Sequence, residues 1–317
     1  MVNAGYTDLG IFCNRLKEHE LVSEPYLESL LAKHQSTLMF PGEPDFVVFE
    51  DKGTVIGFQF ENVPIVSEDI AAIKDNTKAV TTRKKVQWLT TEPIRLFCLC
   101  LRVNLSQGDY PWKIYFFCPL RSTDLEAGWN HILDSDPKHV QNILTAHYLV
   151  FPVHDKDHWF TVIVASSGGT LIDGETPNVY FLDSKGYSWM ESLGQPMRQI
   201  IATMRGSTER CEIYEDEHGT LPQQTKELCG YYLMLYLELF SISPDKFLSR
   251  VKNKCKTPMS EPGKMDQVVA TRFNELVEEF WFAKKRGGRL VTGSGRPILD
   301  GDLTYLARGI NFTDNAA

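Results

Sequence analysis

One apolar run dominates the architecture expected of this chain. The segment LCGYYLMLYLELF, from Leu228 to Phe240, contains a single charged residue, Glu238. A helix that is apolar on every side has to be covered on every side. A chain of 317 residues that is 43% hydrophobic can build a core of the necessary size. We therefore predict a globular protein with a buried central helix that begins near Cys229.

The other periodic segments predict helices first, then a sheet, then the central helix. This order places the protein in the α+β class. Helical spacing or capping residues predict helices after Ser23, after Ser67, over Trp88–Leu101, with Thr90 or Thr91 as its cap, and over Met190–Met204. β-Branched and aromatic runs predict strands over 45–50 and 54–61, which form a hairpin, and over 148–153, 159–165, 179–182 and 211–214.

Charge and cysteine content exclude several classes of function. The formal net charge is -8, and the basic residues are scattered, so we expect no nucleic-acid partner. Seven irregularly spaced cysteines fit free thiols better than a disulfide framework, which predicts a reducing intracellular compartment, nuclear or cytoplasmic. No apolar run reaches the roughly 18 to 20 residues that span a bilayer, so no membrane partner is expected. We expect a monomer.

Three polar residues stand at the ends of predicted elements. His158 opens a strand, Asp183 follows the next strand, and Cys229 opens the central helix. The N-terminus of a helix favours a thiolate, an adjacent imidazole can exchange protons with it, and a carboxylate can orient the imidazole. Gln223 or Gln224, just upstream of the cysteine, could donate to the oxyanion that forms when a thiolate attacks a carbonyl.

Each of these residues also has an ordinary structural interpretation. A buried cysteine in an apolar helix is usually inert, and an Asp in a DSKG turn usually serves the turn. His154 and His158 are spaced by four residues but lie beside a predicted strand, without further ligands that would complete a zinc site. We therefore expect neither a metal nor a cofactor.

Taken together, the motifs resemble those of the SUMO/sentrin-specific cysteine proteases, the ubiquitin-like-modifier proteases that include the adenovirus-type endopeptidases. The matching segments are HWFTVIV from His158, YFLDS through Asp183, and LPQQTKELCG through Cys229, in the family's order. WLTTEPIRLF from Trp88 and IYFFCPL from Ile114 resemble segments that precede them. The chain departs from the family's pattern at Thr90 and Thr91, which replace Asn-Asp.

The resemblance implies a papain-like fold and a role for each matching residue. His158 would be the base, Asp183 its orienting partner, Cys229 the nucleophile, and Gln223, or else Gln224, the oxyanion donor. Three further residues would contact the substrate: Trp88, Trp159 and Gly230. The two tryptophans would form the walls of a narrow tunnel for a Gly-Gly tail, although they could equally be ordinary core aromatics.

The resemblance also implies a domain organisation and a reaction. Residues 62–285 would be the catalytic domain, preceded by an accessory region over 1–61 and followed by a C-terminal extension over 286–317. The implied activity is a thiol peptidase or isopeptidase that cleaves after the Gly-Gly tail of SUMO or another ubiquitin-like modifier. The alternatives are a deubiquitinase, a polyprotein-processing protease of the same fold, and a catalytically silent modifier-binding module.

Overall fold

A mixed sheet and the buried helix that packs on it organise the fold. The computed structural model describes residues 46–51, 54–61, 63–82, 84–125, 137–166, 168–171, 173–205, 211–216, 220–253, 259–286, 289–291, 296–299, 303 and 305–306. The predicted helix after Ser23 and the turn at 52–53 lie outside these residues.

The main sheet has six strands. They are β4 (Ile114–Phe116), β5 (Leu120–Arg121), β6 (Tyr148–Asp155), β7 (His158–Ala165), β8 (Asn178–Leu182) and β9 (Ile213–Glu215). The order is β4-β6-β7-β8-β9, and β5 pairs with the far end of β6. The central strands β6, β7 and β8 are antiparallel, whereas the outer strands pair in parallel. The hairpin between β6 and β7 places His158 opposite Asp155 at one end of the sheet.

Every residue of β7 is buried, which explains why its sequence is almost continuously apolar. Successive side chains of a strand point to opposite faces. Trp159 and Ile163 enter the larger of two hydrophobic cores, whereas Phe160 and Val162 enter the smaller one. The sheet is therefore covered on both sides, and the ends of β7 and β8 are held rigidly between the two cores.

Seven α-helices occur among the described residues. They are α1 (Ser67–Thr81), α2 (Thr91–Gln107), α3 (Pro137–Leu144), α4 (Met190–Arg205), α5 (Cys229–Ile242), α6 (Pro244–Lys252) and α7 (Asp266–Trp281). Helix α5 is the predicted apolar helix. It packs against β7, α2, α6 and α7. All residues from Cys229 to Ser241 are buried, and Glu238 is the one charged residue among them.

A second, three-stranded sheet precedes α1. Its strands β1 (Phe46–Asp51), β2 (Thr54–Phe60) and β3 (Val63–Val66) are antiparallel neighbours in chain order. Phe58 stacks on Phe280 of α7 with ring centroids 5.8 Å apart, and Phe60 also contacts that ring. A short hairpin, β10 (Lys284–Arg286) with β11 (Arg289–Val291), follows α7.

The structure confirms the predicted α+β class and the central sheet with a buried helix. The predicted hairpin and the helices that begin near 67, 91 and 190 are present, and the strand predicted over 211–214 lies slightly later, over Ile213–Glu215. Thr90 precedes α2 as predicted, but its hydroxyl donates to Asp69 (3.0 Å) and does not cap the helix. The predicted boundaries of the catalytic domain, between residues 61 and 62 and between residues 285 and 286, stay predictions.

Among the described residues, no helix is both long and apolar enough to cross a bilayer. The cysteines within them, Cys98, Cys100, Cys118, Cys211 and Cys229, are all free thiols.

Candidate active site

The fold brings His158 and Asp183 together at one end of the sheet. His158 is the first residue of β7, and Asp183 directly follows β8, its antiparallel neighbour. Nε2 of His158 donates to Oδ2 of Asp183 over 2.7 Å. Both side chains are buried, at 8% and 3% exposure. Burial of this kind shields the pair from water and makes their interaction stronger than at a surface.

The imidazole interacts with both of the other predicted catalytic residues. Burial acts to lower the pKa of His158, but the hydrogen bond with Asp183 and the electrostatic effects of Asp183 and Cys229 outweigh it and raise that pKa to about 9. The other ring nitrogen, Nδ1, is buried and has no hydrogen-bond partner of normal length among the described residues. The ring is therefore anchored through Nε2 and keeps Nδ1 available for proton exchange with a neighbouring thiol.

Asp183 accepts two further hydrogen bonds. The backbone N–H of Lys185 donates to Oδ1 over 2.7 Å, and the indole N–H of Trp189 donates to Oδ2 over 2.8 Å. Trp189 thus binds the same oxygen as His158. Because all three donors fix the carboxylate, its orientation toward the imidazole is defined before any substrate arrives.

Trp189 is itself held in place by two elements. Its ring stacks on Phe160 with centroids 4.0 Å apart, and it lies parallel to the His158 ring at 6.2 Å. Its backbone N–H donates to Oε1 of Glu215 (2.6 Å), as does that of Met190 (2.8 Å). Glu215 therefore caps the start of α4. Trp189 was not predicted as a site residue, and the signal that could have found it is an aromatic donor six residues after Asp183, directly before a helix.

Cys229 is the first residue of α5 and is 2% exposed. At this position its side chain lies beside N–H groups that have no partner within the helix. Gly230, the next residue, lies against Leu89 and Trp159: a Cβ added there would be 3.2 Å from Leu89 Cβ and 3.4 Å from Trp159 Cδ1. The glycine therefore lets the first turn of α5 pack closely against the segment that precedes α2.

The two glutamines have different environments. Gln224 uses both ends of its amide, since Nε2 donates to Ser184 Oγ (2.8 Å) and Oε1 accepts from the Leu228 N–H (2.6 Å). The Nε2 of Gln223 is buried but has no hydrogen-bond partner among the described residues. A buried donor without a partner is costly unless a ligand supplies one. Of the two residues, Gln223 therefore has the free donor that an oxyanion requires.

The loop that carries these glutamines is braced from several sides. Asp216 accepts from the N–H groups of Thr220 and Leu221 (2.9 Å each). At the other end, Asp266 accepts from the hydroxyl groups of Thr225 and Tyr232 (2.7 Å each). The loop conformation is thus set at its start by the nearby Asp216 and at its end by Asp266, which is distant in sequence.

The two predicted tunnel tryptophans have unlike positions. Trp159 is 3% exposed and donates its indole N–H to the Leu89 carbonyl (3.0 Å), so it is a core residue. Trp88 is 40% exposed, and Lys85 lies over its ring at 5.5 Å. Asn76 fixes this segment through two hydrogen bonds with the Gln87 backbone. Contact of these residues with a substrate stays a prediction.

No group of three potential metal ligands occurs in the part of the chain that the structure describes. The His154 ring packs on Trp159 with centroids 4.5 Å apart. Burial lowers the pKa of His154.

Comparison with known proteins gives matches in structure only. Neither a protein-family profile nor a curated protein sequence matches the chain. A solved structure of a de-sumoylating protease is 12% identical, with 77% of this chain and 93% of that one covered at a TM-score of 0.48. The catalytic domain of the Chaetomium thermophilum Ulp1-like SUMO protease is 14% identical, with 80% and 90% covered and a TM-score of 0.40.

A third structure is the Xanthomonas campestris effector XopD bound to ubiquitin. It is 14% identical, with 60% of this chain and 94% of that one covered and a TM-score of 0.35. The solved structures similar to this chain thus include SUMO proteases, the class whose motifs the sequence resembles.

Proposed function

We propose that this protein is a cysteine protease that cleaves after the Gly-Gly tail of a ubiquitin-like modifier. The observation that carries the proposal is the buried hydrogen bond between His158 and Asp183 at the end of the sheet, together with Cys229 at the start of α5, the helix that packs on β7. A thiol, an imidazole and a carboxylate in this order form the constellation required for nucleophilic catalysis.

The reaction follows from these groups. Cys229 gives its proton to His158, and its sulfur attacks the scissile carbonyl carbon. The carbonyl oxygen becomes an oxyanion, for which the free amide N–H of Gln223 and the N-terminal N–H groups of α5 are donors. The imidazolium protonates the leaving amine as the C–N bond breaks and a thioester forms. Water, deprotonated by His158, then hydrolyses the thioester and restores the thiol.

The choice of substrate is supported by the motif resemblance and by the position of Trp88. This aromatic ring is exposed beside Leu89, which contacts Gly230 next to the nucleophile. A tail of two glycines could approach the nucleophile closely along this surface because it has no Cβ atoms to clash. SUMO is the first candidate modifier, ubiquitin the second, and viral or cellular polyproteins are further alternatives.

A catalytically silent binding module is the alternative from another class. It is disfavoured by the polar groups that the site retains: a module that only binds has no need for the buried His158–Asp183 pair or the unpaired Gln223 amide, both of which cost free energy. The two alternatives differ in whether the Cys229 thiol reacts with a modifier.

The test is covalent capture. The full chain is mixed with SUMO or ubiquitin carrying a C-terminal vinyl sulfone, and the intact mass is measured. We expect one adduct that is lost in Cys229→Ala. Cys118→Ser is the matched control, because Cys118 is also a free thiol and is exposed. We expect this variant to form the same adduct as the unchanged protein. An adduct that survives Cys229→Ala, or no adduct alongside measurable modifier binding, would contradict the proposed activity.

A further inference from the structure

An exposed aromatic side chain, Tyr187, lies directly beside the catalytic imidazole. Its ring contacts His158 edge-on, with centroids 5.2 Å apart and an interplanar angle of 63°. The side chain is nevertheless 53% exposed. The Nζ atom of Lys185 lies over the same ring, 6.0 Å from its centroid. The described residues thus include an aromatic surface with an adjacent cation at the edge of the candidate active site.

The turn that presents Tyr187 is fixed at both ends. At its start, Asp183 accepts hydrogen bonds from Lys185 N (2.7 Å) through Oδ1 and from Gly186 N (3.1 Å) through its carbonyl. Gly186 adopts φ +71°, a conformation that glycine allows at little cost. At its end, the Ser188 hydroxyl donates to Glu215 (2.8 Å). The ring is therefore presented by a defined backbone rather than by an unsupported loop.

Tyr187 and Trp88 adjoin different residues of the reacting pair: Tyr187 contacts His158, whereas Trp88 precedes Leu89, which packs against Gly230 next to Cys229. His158 and Trp159 are consecutive residues of β7, so their side chains point to opposite faces of the sheet. Trp159 points toward Leu89 and Gly230, next to Trp88. His158 points toward Tyr187 and Trp189. A substrate whose acyl part occupies the Trp88 side would extend its other part toward Tyr187.

We propose that Tyr187 and Lys185 form a subsite for the leaving group, the part of the substrate that follows the scissile bond. The inference rests on the proposed function and goes beyond it. His158 protonates the leaving amine, so that nitrogen has to lie against the imidazole, whose neighbouring surface is Tyr187. The occupant is a polypeptide segment that packs apolar atoms on the Tyr187 ring and places an acidic side chain near Lys185.

Two probes separate this subsite from the catalytic groups. The first is the vinyl sulfone of whichever modifier, SUMO or ubiquitin, labels Cys229; it occupies the acyl side and has no leaving group. The second is the same modifier extended by a peptide that carries acidic residues directly after Gly-Gly. For Tyr187→Ala we expect an unchanged labelling rate and a kcat/KM for the extended substrate that is about three- to tenfold lower, as expected for one aromatic contact.

Matched variants sharpen the test. Tyr187→Phe keeps the ring and should cleave the extended substrate at the rate of the unchanged protein. Lys185→Glu should disfavour the acidic extension and favour one with lysines at the same positions. Equal loss of labelling and cleavage in Tyr187→Ala, or no loss of either, would overturn the subsite. If the unchanged protein forms no adduct at all, the proposed function itself fails, and the inference fails with it.

Discussion

At the scale of single residues, the two glutamines before Cys229 show how the structure separates two equal candidates. Gln223 and Gln224 are adjacent in sequence, and both fit the role of oxyanion donor by type. In the structure, the Gln224 side chain forms hydrogen bonds with Ser184 and Leu228 and so stabilises the loop. The side-chain amide N–H of Gln223 has no hydrogen-bond partner among the described residues. Sequence reasoning could not distinguish them because the partners of Gln224 include Ser184, on a different element.

This difference predicts opposite effects of two similar substitutions. Gln223→Ala should lower kcat by about 10²- to 10³-fold, the usual cost of one oxyanion donor, without lowering the free energy of unfolding. Gln224→Ala should lower that free energy by about 1–3 kcal/mol, because two buried hydrogen bonds, to the Ser184 hydroxyl and from the Leu228 N–H, are lost inside the protein. Steady-state kinetics and urea unfolding of both variants provide the measurements. Reversed effects would assign the oxyanion role to Gln224.

The raised pKa of His158 predicts the alkaline limit of activity. The imidazolium that protonates the leaving amine persists up to a pKa of about 9, so kcat/KM should fall above that pH. Because this folded-state pKa is above the unfolded value of about 6.5, its contribution to stability is complete below about pH 6.5 and is lost as the pH rises through 9.

Asp183→Asn tests the origin of this limit. The substitution removes the charge that opposes desolvation, so the pKa of His158 should fall and the alkaline limb of the kcat/KM profile should move to lower pH. The rate should also decrease, because the orienting carboxylate is lost. Asp173→Asn, at an exposed loop position, is the control. An alkaline limb that stays near pH 9 in Asp183→Asn would show that another group sets it.

At the scale of elements, the long apolar runs were predictable, whereas the short strands and the amphipathic helix α7 were not predicted. The buried helix α5 and the strand β7 follow from long apolar runs, which have to be covered on every side. Strand β3, of four residues including Pro64, carries too little pattern to be recognised, and its pairing with β2 depends on that neighbour. The prediction therefore missed a strand that joins the hairpin directly to α1.

The supports of the site were also beyond sequence reasoning. The triad positions coincide with the ends of β7, β8 and α5, which are local features of the sequence. Glu215 and Asp266, in contrast, hold the Trp189 turn and the glutamine loop from elements that lie 26 and 41 residues away from their partners. A carboxylate at a helix or strand end has many ordinary roles. Only the assembled fold shows which groups donate hydrogen bonds to it.

At the scale of the whole molecule, the described C-terminal residues pack into the same core as α5. Ile298, Leu303 and Leu306 are at most 4% exposed and belong to that core. The Leu306 N–H donates to both carboxylate oxygens of Glu238, each over 2.8 Å, so the segment also binds the one charged residue of the buried helix. The packing favours a structural role for this part of the predicted extension.

Removing these apolar side chains from the core should therefore lower the stability of the protein. We expect Leu306→Ala to lower the free energy of unfolding by about 2–5 kcal/mol, as for other buried leucines. A chain that ends after residue 291 loses all three apolar side chains, a loss comparable with the ~5–15 kcal/mol total stability of a typical domain, so it should not fold stably. Urea unfolding and thermal melting followed by circular dichroism measure both effects.

Phe282→Ala is the matched control for these losses. Phe282 is also a large apolar residue near the C-terminus, but it is 61% exposed, and its removal should change stability by less than about 0.5 kcal/mol. If the chain ending at 291 unfolds with the same midpoint as the full chain and labels equally fast with the modifier vinyl sulfone, residues 296–306 are dispensable to the core. If its stability falls while Phe282→Ala melts normally, the C-terminal segment is part of the folding unit that holds α5, and with it Cys229, in position.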